Sequence, residues 1–148
     1  ALSRQRIEPG MGRIHFSARV VPGIYKERER LRGWLELVAK AHGKRIERLS
    51  YVLLSDEALL DYNQRYLQHN EYTDIITFDL GNGSGVNGEL LLSLDRIREN
   101  ASCFGVSQQH ELRRVMVHGL LHLLGHNDKT PSERRAMSAL EDAFLLKF

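Results

Sequence analysis

Apolar and polar residues alternate along residues 12–21, with Ile14, Phe16, Ala18 and Val20 on one side and His15, Ser17 and Arg19 on the other. That two-residue period predicts a half-buried strand, ended by Pro22 and Gly23. From residue 25 the period changes. Leu31, Trp34, Leu35, Val38 and Ala39 recur at three and four, which predicts a helix over residues 25–42 with one buried stripe, closed by Gly43. A second strand is predicted over 46–54. Ser55 is a good N-cap for a helix over 56–67, and residues 73–80, rich in Ile, Thr and Phe, predict a buried strand.

Residues 81–88 contain four glycines and two asparagines, which predicts a hairpin loop leading into a strand over 89–94. A short helix over 95–104 follows. Ser107 caps the next helix, which runs to about Leu124 before Gly125, and Thr130, Pro131 and Glu133 make the capping-box start of a last one. Roughly four strands and five helices, without linker or repeat, predict a single mixed α+β domain over residues 1–148.

Composition narrows this further. A chain of 148 residues with 42% hydrophobic content suits one domain able to bury a core. It contains no run of about 18 apolar residues, and residues 1–10 lack the apolar stretch of a secretory signal, so a soluble, cytoplasmic protein with no membrane partner is expected. The lone Cys103 has no disulfide partner and reads as a small buried apolar residue.

The net charge of +2 conceals a split, because residues 1–48 carry 12 Lys or Arg against 5 Asp or Glu. A basic face able to meet a polyanion is one reading. The plainer one makes residues 26–32 the solvated side of an amphipathic helix.

The chemistry concentrates in Val117-His118-Gly119-Leu120-Leu121-His122-Leu123-Leu124-Gly125-His126-Asn127-Asp128. Residues four apart on a helix differ by about 40° in azimuth and about 6 Å in height, so His118 and His122 can grip one ion. Gly125 then breaks the helix, and His126 and Asp128 compete to supply a third ligand. A residue one past the break is carried away along the axis, whereas three past it the chain can fold back. His-x3-His-x5-ligand is also the spacing of the long zincin motif, so Asp128 is the favoured third ligand.

Three protein ligands leave a fourth position for an acidified water, the arrangement of a catalytic site. Two core histidines bound only to carbonyls are the alternative, and burying two on one face is costly. Zincin peptidases carry a glutamate directly after the first histidine as general base, but Gly119 stands there, which argues against peptidase chemistry.

The block His118-Gly119-x-Leu121-His122-Leu123-x-Gly125 resembles the signature of the YbeY family. Upstream, Thr73-Asp74-Ile75-Ile76-Thr77-Phe78 is similar to that family's Thr-Asp-Val-Leu-Ser-Phe strand, and residues 88–93 to its Gly-Asp-Ile strand, so the likeness spans about residues 50–142. It implies a zinc-dependent, single-strand-specific endoribonuclease, with one ion per chain, that matures the 3′ end of small-subunit (16S) ribosomal RNA and takes part in ribosome quality control. RNA and the small ribosomal subunit are the implied partners. It also implies a central helix carrying the ligands, packed among helices on a mostly four-stranded sheet.

Two positions depart from the family pattern. Asp128 stands where histidine is usual, with His126 where tyrosine is common, and the carboxylate lowers the charge of a zinc site by one. Leu67 stands where the family often has an arginine thought to help on phosphate. A ribosome assembly factor with little nuclease activity is therefore the alternative reading, and hydrolysis of a small amide or peptide a third.

Overall fold

The computed structural model describes residues 13–18, 21, 23–67 and 73–148. Its elements are β1 (Ile14–Ala18), α1 (Arg28–Ala41), β2 (Ile46–Leu54), α2 (Asp56–Leu67), β3 (Ile75–Asp79), β4 (Val86–Ser93), α3 (Leu94–Phe104), α4 (Gln108–Leu123) and α5 (Pro131–Leu145). The α+β class and the four strands and five helices expected from patterning are all present. The predicted contributions of Gly12, Arg19, Val20 and Pro22 to the first strand lie outside the described residues.

The sheet order is β1-β2-β4-β3, with β1, β2 and β4 parallel and β3 antiparallel on the edge. Alternate residues of each strand face opposite sides. Leu49, Tyr51 and Leu53 of β2, with Leu90 and Leu92 of β4, join the main core beneath α1, α3, α4 and α5. Leu54, Ile76 and Leu91 point the other way, into a smaller cluster closed by Leu59 of α2. The sheet is thus sandwiched, with most helices on one face and α2 on the other.

α4 runs through the middle of the main layer. Leu112, Val115, Met116, Val117, Leu120 and Leu121 are all buried, so the helix is apolar around most of its girth, as a central helix must be. Ser107 caps it by accepting from His110 N at 3.0 Å. Met116 O accepts from the Tyr51 hydroxyl at 2.9 Å, tying it to β2. α5 opens with the expected capping box, Thr130 and Glu133 each accepting from the other's backbone N–H.

Some expectations need correction. α1 starts at Arg28 rather than residue 25, because Glu27 adopts the left-handed conformation (φ 54°, ψ 53°), which breaks the chain direction. Tyr25 stays buried, but its hydroxyl donates to Ser17 O at 2.9 Å, so it belongs to the floor of β1 and not to a helix stripe. β4 begins at Val86, earlier than the glycine-rich loop suggested, since Val86 pairs with Ile46 and Gly88 with Leu49. Cys103 is exposed, not buried. The buried stripe of α3 is Leu94, Ile97 and Ala101, and Cys103 lies about 200° around the helix from Ala101.

Candidate metal centre

His118 and His122 leave α4 one turn apart, their ring centroids separated by 4.7 Å and their planes crossed at 77°. Past Leu123 the chain reverses. Gly125 takes φ 102°, a conformation glycine reaches without penalty, and His126 N donates back to Leu121 O at 3.0 Å. The loop then carries Asp128 over the two rings. Asp128 Oδ2 lies 3.3 Å from His118 Nε2 and 3.3 Å from His122 Nε2.

His118, His122 and Asp128 each offer one ligand atom, all within 4.8 Å of one another, and they are the only such group of three among the described residues. A tetrahedron with metal–ligand bonds of about 2.0–2.1 Å has edges of about 3.3–3.4 Å. Both imidazole-to-carboxylate edges already have that length, and two imidazole nitrogens with one carboxylate oxygen are a donor set that suits a divalent ion such as zinc. The other candidate, His126, faces elsewhere: its Nε2 lies 2.8 Å from His42 Nε2 at the end of α1. Since His42 Nδ1 donates to Val38 O at 2.8 Å, neutral His42 accepts at Nε2 and His126 donates.

The cluster opens on a cavity of about 640 Å³ whose walls include Asp74, Thr77, Asp79 and Leu67. Three carboxylates line it, those of Asp74, Asp79 and Asp128, and among the described lining residues there is no lysine or arginine. Burial raises the pKa of Asp74 against the charge of His118 and the N–H groups of residues 74 and 75, which favour its ionised form. Burial also pulls His118 toward the neutral form, but the hydrogen bond and charge of Glu141, with Asp74 and Asp128 adding, win and leave its pKa raised. His126 is lowered by burial and by the nearby His42 and His122.

A family profile described as endoribonuclease YbeY matches residues 24–148. The chain belongs to the YbeY family. An endoribonuclease YbeY from Bacteroides thetaiotaomicron is 49% identical over 112 residues, covering 76% of this chain and 82% of the relative. One from Porphyromonas gingivalis is 41% identical over 137 residues, covering 92% and 90%. The fold is similar to the solution structure of TM1509 from Thermotoga maritima, with a TM-score of 0.61 and 25% identity over 89% of this chain and 86% of that one.

Membership of the YbeY family makes this a hydrolytic enzyme of the endoribonuclease class. It also bears on Gly119. A Cβ there would lie 2.2 Å from Leu90 Cδ2 and 2.6 Å from Ile75 Cδ1, so the helix rests directly on β3 and β4. Any side chain at this point, the glutamate of a zincin peptidase included, would have to displace those two methyl groups.

Glu141 was not singled out from the sequence. Its Oε2 accepts from His118 Nδ1 at 2.6 Å, and its Oε1 from Arg114 Nη1 at 3.0 Å. The available signal was phase: Met137, Glu141 and Phe144 form the buried stripe of α5, where a carboxylate is out of place unless it has partners. Among the described residues no helix is long and apolar enough to cross a membrane.

Proposed function

We propose that this chain is a zinc-dependent, single-strand-specific endoribonuclease of the cytoplasm. We infer that it acts on the 3′ end of small-subunit (16S) ribosomal RNA during maturation and quality control of the ribosome. His118 Nε2, His122 Nε2 and Asp128 Oδ2 are the ligands we assign to one zinc ion per chain. The observation that carries this reading is the convergence of those three atoms on an open cavity walled by carboxylates. A phosphodiester entering between Asp74, Asp79 and Asp128 meets three carboxylates and, among the described lining residues, no lysine or arginine, so a bound cation would supply the missing countercharge.

A zinc ion held there would supply that countercharge and make a bound water more acidic. His118, His122 and Asp128 hold the ion at the cavity wall. Asp74 lines the same cavity and is the carboxylate we assign to take a proton during cleavage, the role left vacant by Gly119. Asp74→Asn should therefore slow cleavage by about 10²–10⁴-fold while zinc content stays at one per chain. Loss of zinc together with activity would make Asp74 a support of the metal and not an acid–base group.

One observation favours the alternative. Leu67, 41% exposed, lines the cavity where the family often has an arginine, so phosphate has no described basic contact at that wall. An assembly factor with weak cleavage would tolerate this. Protein loaded with one equivalent of zinc is incubated with single-stranded and duplex RNA carrying the 3′-end sequence. Cleavage of the single strand alone, stopped by a chelator and restored by zinc, is the expected result. Salt-sensitive binding to small ribosomal subunits without any cleavage would establish the assembly-factor reading instead.

A further inference from the structure

Glu141 sits on α5 with 6% of its surface exposed, among residues that are otherwise apolar along that stripe. A carboxylate stripped of water in this way is costly unless strong donors replace its hydration. Two do. Arg114 spans Glu141 and Asp142, donating from Nη1 to Glu141 Oε1 at 3.0 Å and from Nη2 to Asp142 Oδ1 at 2.6 Å. The shortest contact to Glu141 comes from the imidazole, His118 Nδ1 to Oε2 at 2.6 Å.

An ionised carboxylate only accepts, so His118 must carry its proton on Nδ1, and in the neutral ring the lone pair then lies on Nε2. Nε2 is the atom that faces Asp128 and the cavity. The fork of Arg114 fixes the carboxylate from behind, because its other nitrogen is held by Asp142 one residue further along α5. The chain therefore runs from Arg114 through Glu141 and His118 to the place where the ligand atoms converge. Among the described contacts of His122 there is no equivalent carboxylate partner, so the two histidines are not held alike.

We propose that Glu141 is a positioning residue of the metal centre: it selects the Nδ1–H tautomer of His118, fixes the ring plane and strengthens Nε2 as a ligand, with Arg114 locking Glu141 in place. The inference rests on the reading of His118, His122 and Asp128 as zinc ligands. Carboxylates behind ligating histidines commonly act this way, and losing one typically weakens metal binding about 10–100-fold. A purely structural ion pair between α4 and α5 would have no such effect on the metal.

The test uses the full chain, stripped of metal and titrated with zinc against a competing chelator, for the wild type, Glu141→Gln and Glu141→Ala. In the zinc-loaded proteins the strongly hydrogen-bonded Nδ1–H proton of His118 is followed by NMR. Glu141→Ala should lose that resonance and bind zinc about 10–100-fold more weakly. Glu141→Gln, whose amide oxygen can still accept, should keep the resonance at higher field and lose less affinity. If Glu141→Ala does not fold, Glu141→Gln decides: wild-type zinc affinity with an unshifted resonance overturns the proposal. Equal affinity in all three folded proteins overturns it too, leaving the zinc reading intact. A wild type that takes up no zinc overturns the zinc reading and this inference together.

Discussion

Two regions share a density of chemically capable side chains, and they differ in what the fold does with them. At the end of α4, His118, His122 and Asp128 converge on open space, with 22–34% of their side chains still exposed. On α1, by contrast, the arginines are committed elsewhere. Arg28 lies over Tyr25 at 5.8 Å, Arg30 over Phe148 at 4.1 Å and Arg32 over Phe16 at 5.2 Å. Arg30 and Arg32 also pair with Glu27 and Glu29, and Arg32 Nε donates to Ile14 O. Sequence density alone treats the two regions alike. Convergence on an open cavity distinguishes a site from a set of side chains that finish the packing.

The strongest way to break this contrast is to restore the peptidase glutamate. Gly119→Glu would force a charged side chain against the methyl groups of Leu90 and Ile75, on a buried face of α4. The penalty is several kcal/mol, comparable to the roughly 5–15 kcal/mol that holds a domain of this kind together. The variant should fail to fold cooperatively, as read by thermal denaturation. A folded, zinc-binding Gly119→Glu protein would show that packing is not what keeps glutamate out.

Next in size is the choice of third ligand. Asp128→Ala should weaken zinc binding more than the roughly hundredfold ceiling seen for outer-shell groups and abolish cleavage, while Asp128→His should retain the metal. His126→Ala should keep zinc within a fewfold, costing only its contact with His42. Zinc lost in His126→Ala and kept in Asp128→Ala would reverse the assignment.

The smallest effect is expected on α1. Charge reversal of Arg28, Arg30 and Arg32 together removes three ring contacts, those of the exposed Arg28 and Arg30 worth about 0.5–1 kcal/mol each, so the melting temperature should fall with zinc content unchanged. Single-stranded RNA binding loses about 0.7 in salt slope per phosphate contact. A slope change below that value is expected. A drop near 2 would mean these arginines hold RNA as well as rings, and the contrast between the two regions would close.

Much of the fold was legible because it depends on local periodicity and end signals. β2 and α2 fall where the pattern put them, and Ser107 and Thr130 cap the helices they were expected to cap. The convergence of His118, His122 and Asp128 was legible for the same reason, since a helix turn and a helix-breaking glycine are local features. What stayed hidden depends on distant partners. Glu141 meets His118 from 23 residues away, Arg30 meets Phe148 from 118, and the start of β4 is set by pairing with Ile46. Cys103 is a different case, because the phase of α3 would have placed it outward had it been followed.

β3 closes one edge of the sheet and is only five residues long. An edge strand offers a row of backbone donors and acceptors to any passing strand, and folds that leave such rows bare tend to aggregate. Here Asp74 stands immediately before the row and Asp79 ends it, with the cavity hollowed alongside. A second strand seeking to extend the sheet would have to desolvate the exposed carboxylate of Asp79. The carboxylate that ends this edge therefore also disfavours pairing of the strand with a copy of itself.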